Sequence, residues 1–161
     1  WHEAMGRVSR AITIGAGLTH VSDHPWRYQW KARVFWSPPV RVLAAAAGYL
    51  PGRLVGLGAD LPRGVYEDWR RWCTTKGWHL SDVGRTLSLP DPARVTARLR
   101  MIAVADDELV PPQAVWRARA LYPEAMKEQK VLRPSDFGLA SIGHIPPFTR
   151  RNAVLWPAIL D

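Results

Sequence analysis

Two short runs of the chain carry apolar residues on both faces, each ending where a strand would end, and a third is a weaker candidate. Residues 9–15 (SRAITIG) close on a glycine, and residues 100–105 (RMIAVA) close on Asp106. Residues 126–132 form a third, more polar run. Runs this short, rich in β-branched side chains and alanine, have the pattern of strands buried in a parallel sheet. Between the second and third, residues 112–122 set Val115, Trp116, Ala118, Ala120 and Leu121 on a helical stripe. Pro111 and Pro112 mark its start and Pro123 its end, so the spacing predicts a strand–helix–strand unit with a right-handed crossover. The tail, 149–161, reads as a last helix with Thr149 as its N-cap and Pro157 kinking or interrupting its end. Residues 1–5, followed by Gly6, read as the last turn of another helix with its C-cap glycine.

The middle, from 17 to about 92, has another texture. It holds six of the nine tryptophans (26, 30, 36, 69, 72 and 78) and breaks at Pro38-Pro39, Leu50-Pro51-Gly52 and Leu61-Pro62. Asp60-Leu61-Pro62 predicts a helix opened by a capping Asp and an early Pro, with Val65, Trp69, Trp72 and Cys73 on its apolar stripe. Three or so short helices are therefore expected between two strands of one sheet, as a lid rather than a second independent domain. The expected organisation is a single partial domain: a helix end and strand over 1–16, a helical lid insertion over 17–92, and C-terminal strands and helices over 93–161. No internal repeat is present.

Composition narrows the class. At 161 residues, 47% hydrophobic and 22% charged, the chain can bury a core, which argues against a disordered tail, a fibre or a linker. Its one cysteine, Cys73, rules out an internal disulfide and any multi-cysteine zinc site. The formal charge of +8 permits anionic partners without fixing the fold. No signal-peptide core follows Trp1. The most apolar stretch, 40–50, is interrupted by Arg41 and falls far short of the roughly 20 residues that cross a bilayer. The expectation is a soluble, cytoplasmic protein whose N-terminus reads as cut.

Functional groups of open parallel sheets gather where strands end at their C-terminal edge. Asp106 and Asp107 stand there, directly after RMIAVA, and Gly143-His144-Ile145-Pro146-Pro147-Phe148 places a histidine in a loop before the last helix. An acid, then a histidine, each after its own strand, is the order of the last two members of an α/β-hydrolase triad. Residues 100–161 resemble the C-terminal end of that family. More narrowly, GYLPGRLVGLGADLP with ADDELVPP and GHIPPF resembles a branch of predicted serine hydrolases near the serine-aminopeptidase-like group. The likeness extends over nearly the whole chain but only the back half of the family's core. The fold expected is thus α/β, the C-terminal part of an α/β-hydrolase sheet with an inserted helical lid.

The resemblance implies that Asp107 is the triad acid and His144 the base, with Asp106 the competing acid. It implies hydrolysis of an ester, less readily an amide, through an acyl-enzyme on a hydrophobic acyl or aromatic substrate, with no cofactor and no metal. The nucleophile would be a serine on a G-x-S-x-G elbow ahead of residues 9–15. None of the serines (9, 22, 37, 81, 88, 135 and 141) has that context. Loss of such a serine costs about 10⁶ in kcat, so this chain alone is expected to be inactive. It is also expected to expose an unpaired sheet edge.

Plainer readings stand beside these. An acidic pair after a strand commonly forms a turn and helix cap, and a loop histidine is commonly structural; the two in order and in matching contexts are what favour catalysis. His20-Val21-Ser22-Asp23-His24 has the residue types of a zinc site, but Pro25 and the nearby glycines make it a loop without a third ligand. Trp26, Trp30 and Trp36 alternate with Arg27, Lys31, Arg33 and Arg41, and no acid occurs between His24 and Ala59. The alternative function is therefore a non-catalytic basic-aromatic module for a membrane surface or nucleic acid. The competing view is a lid whose tryptophans cover an apolar acyl pocket, with no nucleic acid as partner. Gly52, Gly56 and Gly58 lack the Lys-Ser/Thr of a P-loop, and Cys73 belongs to an apolar stripe.

Overall fold

All three runs become strands of one parallel sheet. In the computed structural model, which describes residues 5–88 and 95–161, they are β1 (Arg10–Ile14), β4 (Arg98–Val104) and β5 (Lys127–Leu132). The sheet order is β1-β4-β5, with both pairings parallel. Ile14 lies opposite Ile102, and Val104 opposite Leu132. The register therefore brings the residues that follow all three strands to one edge. β4 is in the middle and buried from Leu99 onward, because it has a strand on each side and apolar side chains on both faces. Ile102, Val104, Leu132, Ile142, Leu155 and Ile159 form the core around it, with Ile12 and Ile14 packed against them. Burial of each such side chain is worth about 1.5–3 kcal/mol.

Between β4 and β5 the chain forms α4 (Pro112–Arg117) and then a 3₁₀ segment, Ala118–Leu121, so the expected single helix over 112–122 tightens half-way. The tail differs in the same sense: Arg150–Leu155 is 3₁₀ and only α5 (Trp156–Leu160) is α-helical. Thr149 holds the N-cap position but does not cap, since its hydroxyl donates to the Pro146 carbonyl at 2.8 Å. Pro157 lies in the first turn of α5, where its missing N–H costs no helical bond, instead of breaking the end. Residues 1–4 of the expected N-terminal helix end lie outside the described residues, and Met5–Arg7 form one 3₁₀ turn. Residues 89–94 of the expected lid boundary also lie outside them.

Cations inside the strands, which the apolar pattern does not explain, meet the end of α5. Lys130, Arg100 and Arg10, from β5, β4 and β1, donate to the carbonyls of Ala158, Ile159 and Leu160 at 2.6, 3.2 and 2.6 Å. Those carbonyls have no partner within their own helix, and cations complement the negative end of the helix dipole. Arg100 also donates to Glu128 at 3.0 Å, which pulls the Glu128 carboxyl below its ordinary pKa. Part of the positive charge is thus used inside the fold.

The chain divides into two compact units, one made of the residues up to Thr19 and from Asp82 on, the other His20–Ser81. The second is inserted in sequence between β1 and β4. It contains α1 (Trp26–Phe35), α2 (Pro38–Ala47), an antiparallel pair of β2 (Tyr49–Leu50) and β3 (Leu61–Pro62), and α3 (Arg63–Thr74). Pro38 and Pro39 form the first turn of α2, and Gly48 ends it in the left-handed conformation. Trp36 and Tyr66 fill the core with Ala32, Ala44, Leu50 and Cys73. Burial raises the Tyr66 pKa and pushes the Cys73 thiol up to about 11.

Two expectations for α3 change. Asp60 does not cap it; Pro62 holds the N-cap position, and the Asp60 carboxylate accepts from the Gly52 amide at 3.1 Å, closing the loop between β2 and β3. The apolar stripe runs through Tyr66 and Cys73, while Val65 is 51% exposed. Tyr66 displaces it because its hydroxyl donates to the Phe35 carbonyl at 3.0 Å, so a polar-tipped ring can be fully buried. Among the described residues no helix is long and apolar enough to cross a membrane.

Candidate functional site

The C-terminal edge of the sheet places Asp107 in the turn after β4, with its amide donating to Val104 at 3.2 Å. Its carboxylate has no exposed surface. Oδ1 accepts from the amides of Leu109 and Val110 at 2.9 and 2.8 Å. Oδ2 lies 2.7 Å from Nδ1 of His144. One oxygen therefore caps the turn, and the other contacts the histidine ring.

His144 comes from the loop between β5 and the 3₁₀ turn Pro146–Phe148. Its side chain keeps 27% of its exposure, so the ring is anchored at one nitrogen and open to solvent elsewhere. Next to a buried carboxylate, Nδ1 carries the proton and donates it. Nε2 is then the nitrogen left to accept one. Asp106, the competing acid, is turned elsewhere. Its two oxygens accept from the amides of Ile142 and Gly143 at 2.8 and 3.1 Å.

Sequence reasoning missed Gly15, the first residue after β1. Its amide donates to the Ile102 carbonyl at 2.9 Å. A Cβ there would lie 3.2 Å from His144 Nδ1 and 3.3 Å from both Asp107 Oδ2 and His144 Cε1. Its φ of +56° adds a second reason for glycine. Gly17 matters for a related reason, since a Cβ would stand 2.5 Å from the Ala114 backbone, where the Leu18 amide donates to the Ala114 carbonyl at 3.0 Å. The available signal was position alone: glycines where a parallel strand meets its functional edge.

The other sequence candidates fall outside this site. His20 and Asp23 cap the 3₁₀ turn Val21–Asp23 reciprocally: the His20 amide donates to Asp23 Oδ2 at 2.7 Å, and His20 Nδ1 accepts from the Ser22 amide at 3.2 Å. Cys73 is buried in the core of the inserted unit. Trp36 belongs to the same core, whereas Trp26 and Trp30 are 72% and 60% exposed. No protein-family model matches the chain, and no curated protein matches it.

Proposed function

We propose that the chain supplies the acid and base of a serine-type α/β-hydrolase acting on esters, less readily on amides, through an acyl-enzyme. The observation that supports this is the 2.7 Å contact between His144 Nδ1 and Asp107 Oδ2, with that carboxylate fully buried. In this reading Asp107 fixes the ring tautomer and stabilises the imidazolium as it forms. His144 Nε2 takes the proton of a serine hydroxyl and returns it to the leaving group. The serine would stand on a G-x-S-x-G elbow, which the 161 residues do not contain. The inserted helices act as a lid in this reading, and their aromatic content favours a hydrophobic acyl substrate.

The test has two steps. The coding sequence ahead of Trp1 is read for an in-frame G-x-S-x-G, and the full-length protein is assayed with short- and long-chain p-nitrophenyl esters and a fluorophosphonate probe. Ester turnover and probe labelling, lost in folded Asp107→Asn and His144→Ala variants, support the reading. Full activity in both variants overturns it.

A second reading is favoured by the surface of α1. Trp26 and Trp30 line an open groove of about 460 Å³ with Gln29, Arg33, Val34 and Ser37, and the Arg27 guanidinium lies 5.1 Å from the Trp26 ring centre. Exposed tryptophans beside cations suit the interfacial zone of an anionic membrane. Salt-sensitive binding of this chain to anionic but not neutral vesicles is the expected result. Equal binding to both, or capture by single-stranded nucleic acid instead, removes this reading.

A further inference from the structure

The Asp106-Asp107 doublet poses a chemical question: Asp107 accounts for the contact with the histidine ring, so Asp106 needs a reason to be an acid. Its two oxygens take two consecutive amides, Ile142 at 2.8 Å and Gly143 at 3.1 Å, and the next residue is His144. This is a carboxylate clamping two adjacent N–H groups with one bond per oxygen. Such bonds are charge-assisted and roughly twice as strong as neutral ones. Ile142, on one side of the clamp, is itself fixed in the core around β4.

A loop holds a side chain less precisely than a helix or strand does unless its backbone is tied down. His144 sits in a loop with its ring partly in solvent, so its single bond to Asp107 would have to orient both the ring and the backbone that carries it. Asp106 removes the second burden. Because Asp106 and Asp107 are adjacent in the same turn, the ring and its backbone are referenced to one rigid element, the end of β4.

We propose that Asp106 is a positioning residue for His144: it holds the 142–143 backbone against the end of β4 so that Nδ1 meets Asp107. The proposal rests on the acid–base reading of the pair, but it is testable without turnover. The role requires both oxygens. An Asn at 106 offers one oxygen and turns an NH₂ toward the second amide, so it leaves one clamp bond in place.

The experiment is NMR of the 161-residue chain, with the His144 ring ¹⁵N and ¹H signals and the exchange rates of the Ile142 and Gly143 amides as readouts. In the wild type the His144 Nδ1–H signal should be present and the two amides protected. In Asp106→Ala both amides should exchange roughly ten- to hundredfold faster, and the Nδ1–H signal should broaden into solvent exchange. Asp106→Asn should fall between them, and it guards against a misfolded alanine variant because it conserves volume. If the amides speed up in both variants while the Nδ1–H signal persists, Asp106 only supports the loop and the positioning role is overturned. Unchanged amides overturn the clamp itself. A wild type whose ring ¹⁵N shifts put the proton on Nε2 and leave Nδ1 bare removes the His144–Asp107 pair and with it the hydrolase reading, an outcome distinct from either.

Discussion

Replacing Asp107 by Asn and by Ala separates the two tasks of one carboxylate. Oδ1 serves the amides of Leu109 and Val110 at 2.9 and 2.8 Å, and Oδ2 serves His144 Nδ1 at 2.7 Å. Alanine leaves two amides and a ring N–H without an acceptor where the carboxylate was fully buried. Removing one partner from a buried, hydrogen-bonded charge pair costs about 3–5 kcal/mol, and Asp107→Ala should cost about that much. That is a large share of the roughly 5–15 kcal/mol that keeps an ordinary domain folded. Asparagine keeps an oxygen for the two amides and turns its NH₂ toward His144. Its stability cost should be about 1 kcal/mol. The price falls on the ring instead: Nδ1 must now accept, so the proton moves to Nε2, the wrong place for a base. In a catalytically complete protein this should lower kcat by about 10⁴-fold. Urea unfolding of both variants and ¹⁵N spectra of the His144 ring check the two halves. Equal destabilisation by Asn and Ala, or an Asn variant that keeps the Nδ1–H tautomer, refutes the division of labour between the oxygens.

Gly15→Ala should destabilise by about 1–2 kcal/mol from the left-handed backbone alone, and should disturb the His144 ring signal because the new methyl meets both partners at 3.2–3.3 Å; wild-type unfolding and an unchanged ring signal would contradict this. Cys73, with its thiol pKa at about 11, should react with a disulfide reagent near pH 8 about a hundredfold more slowly in the folded protein than after unfolding; equal rates would place it at the surface. Between pH 9 and 11 the unfolded thiol loses its proton while the folded one keeps it, so this group makes stability fall as pH rises through that window. The fall is read as the difference in urea midpoints between the wild type and Cys73→Ala, and a gap that does not change with pH contradicts it. Arg100→Met should cost about 1–3 kcal/mol, since it strips the Ile159 carbonyl of a buried donor. Arg10→Met, whose bond to Leu160 is exposed, should stay within about 0.5 kcal/mol. Equal midpoint shifts would mean that burial is not what separates them.

How much of this was legible in the sequence depended on whether the cause was local. SRAITIG, at the sheet edge, and RMIAVA, at its centre, announced strands because a short run rich in β-branched residues and alanine is a property carried by consecutive residues. The start of β4 was not legible. Arg98 and Arg100 break the apolar pattern, and Arg100 is tolerated inside because it meets the Ile159 carbonyl, 59 residues away, and the Glu128 carboxylate. The α4 boundary and the 3₁₀ tail were missed for the same kind of reason: periodicity marks a helical stretch but not the point at which packing tightens it. Val65 and Tyr66 were confused because adjacent residues lie about 100° apart on a helix, and the choice between them turned on one distant carbonyl, that of Phe35.

The site divides in the same way. Acid first and histidine later could be read from order and context, but the closure of 37 residues into a 2.7 Å contact could not. The doublet is the instructive case. Asp106 and Asp107 have the same side chain and occupy adjacent positions after a strand, so a sequence can only rank them as rivals for one role. Successive residues leaving a strand project in different directions. One carboxylate therefore reaches the ring of His144, and the other reaches the backbone that carries it. The competition between them exists only in one dimension; in the fold both acids act on the same histidine, one on its proton and one on its place.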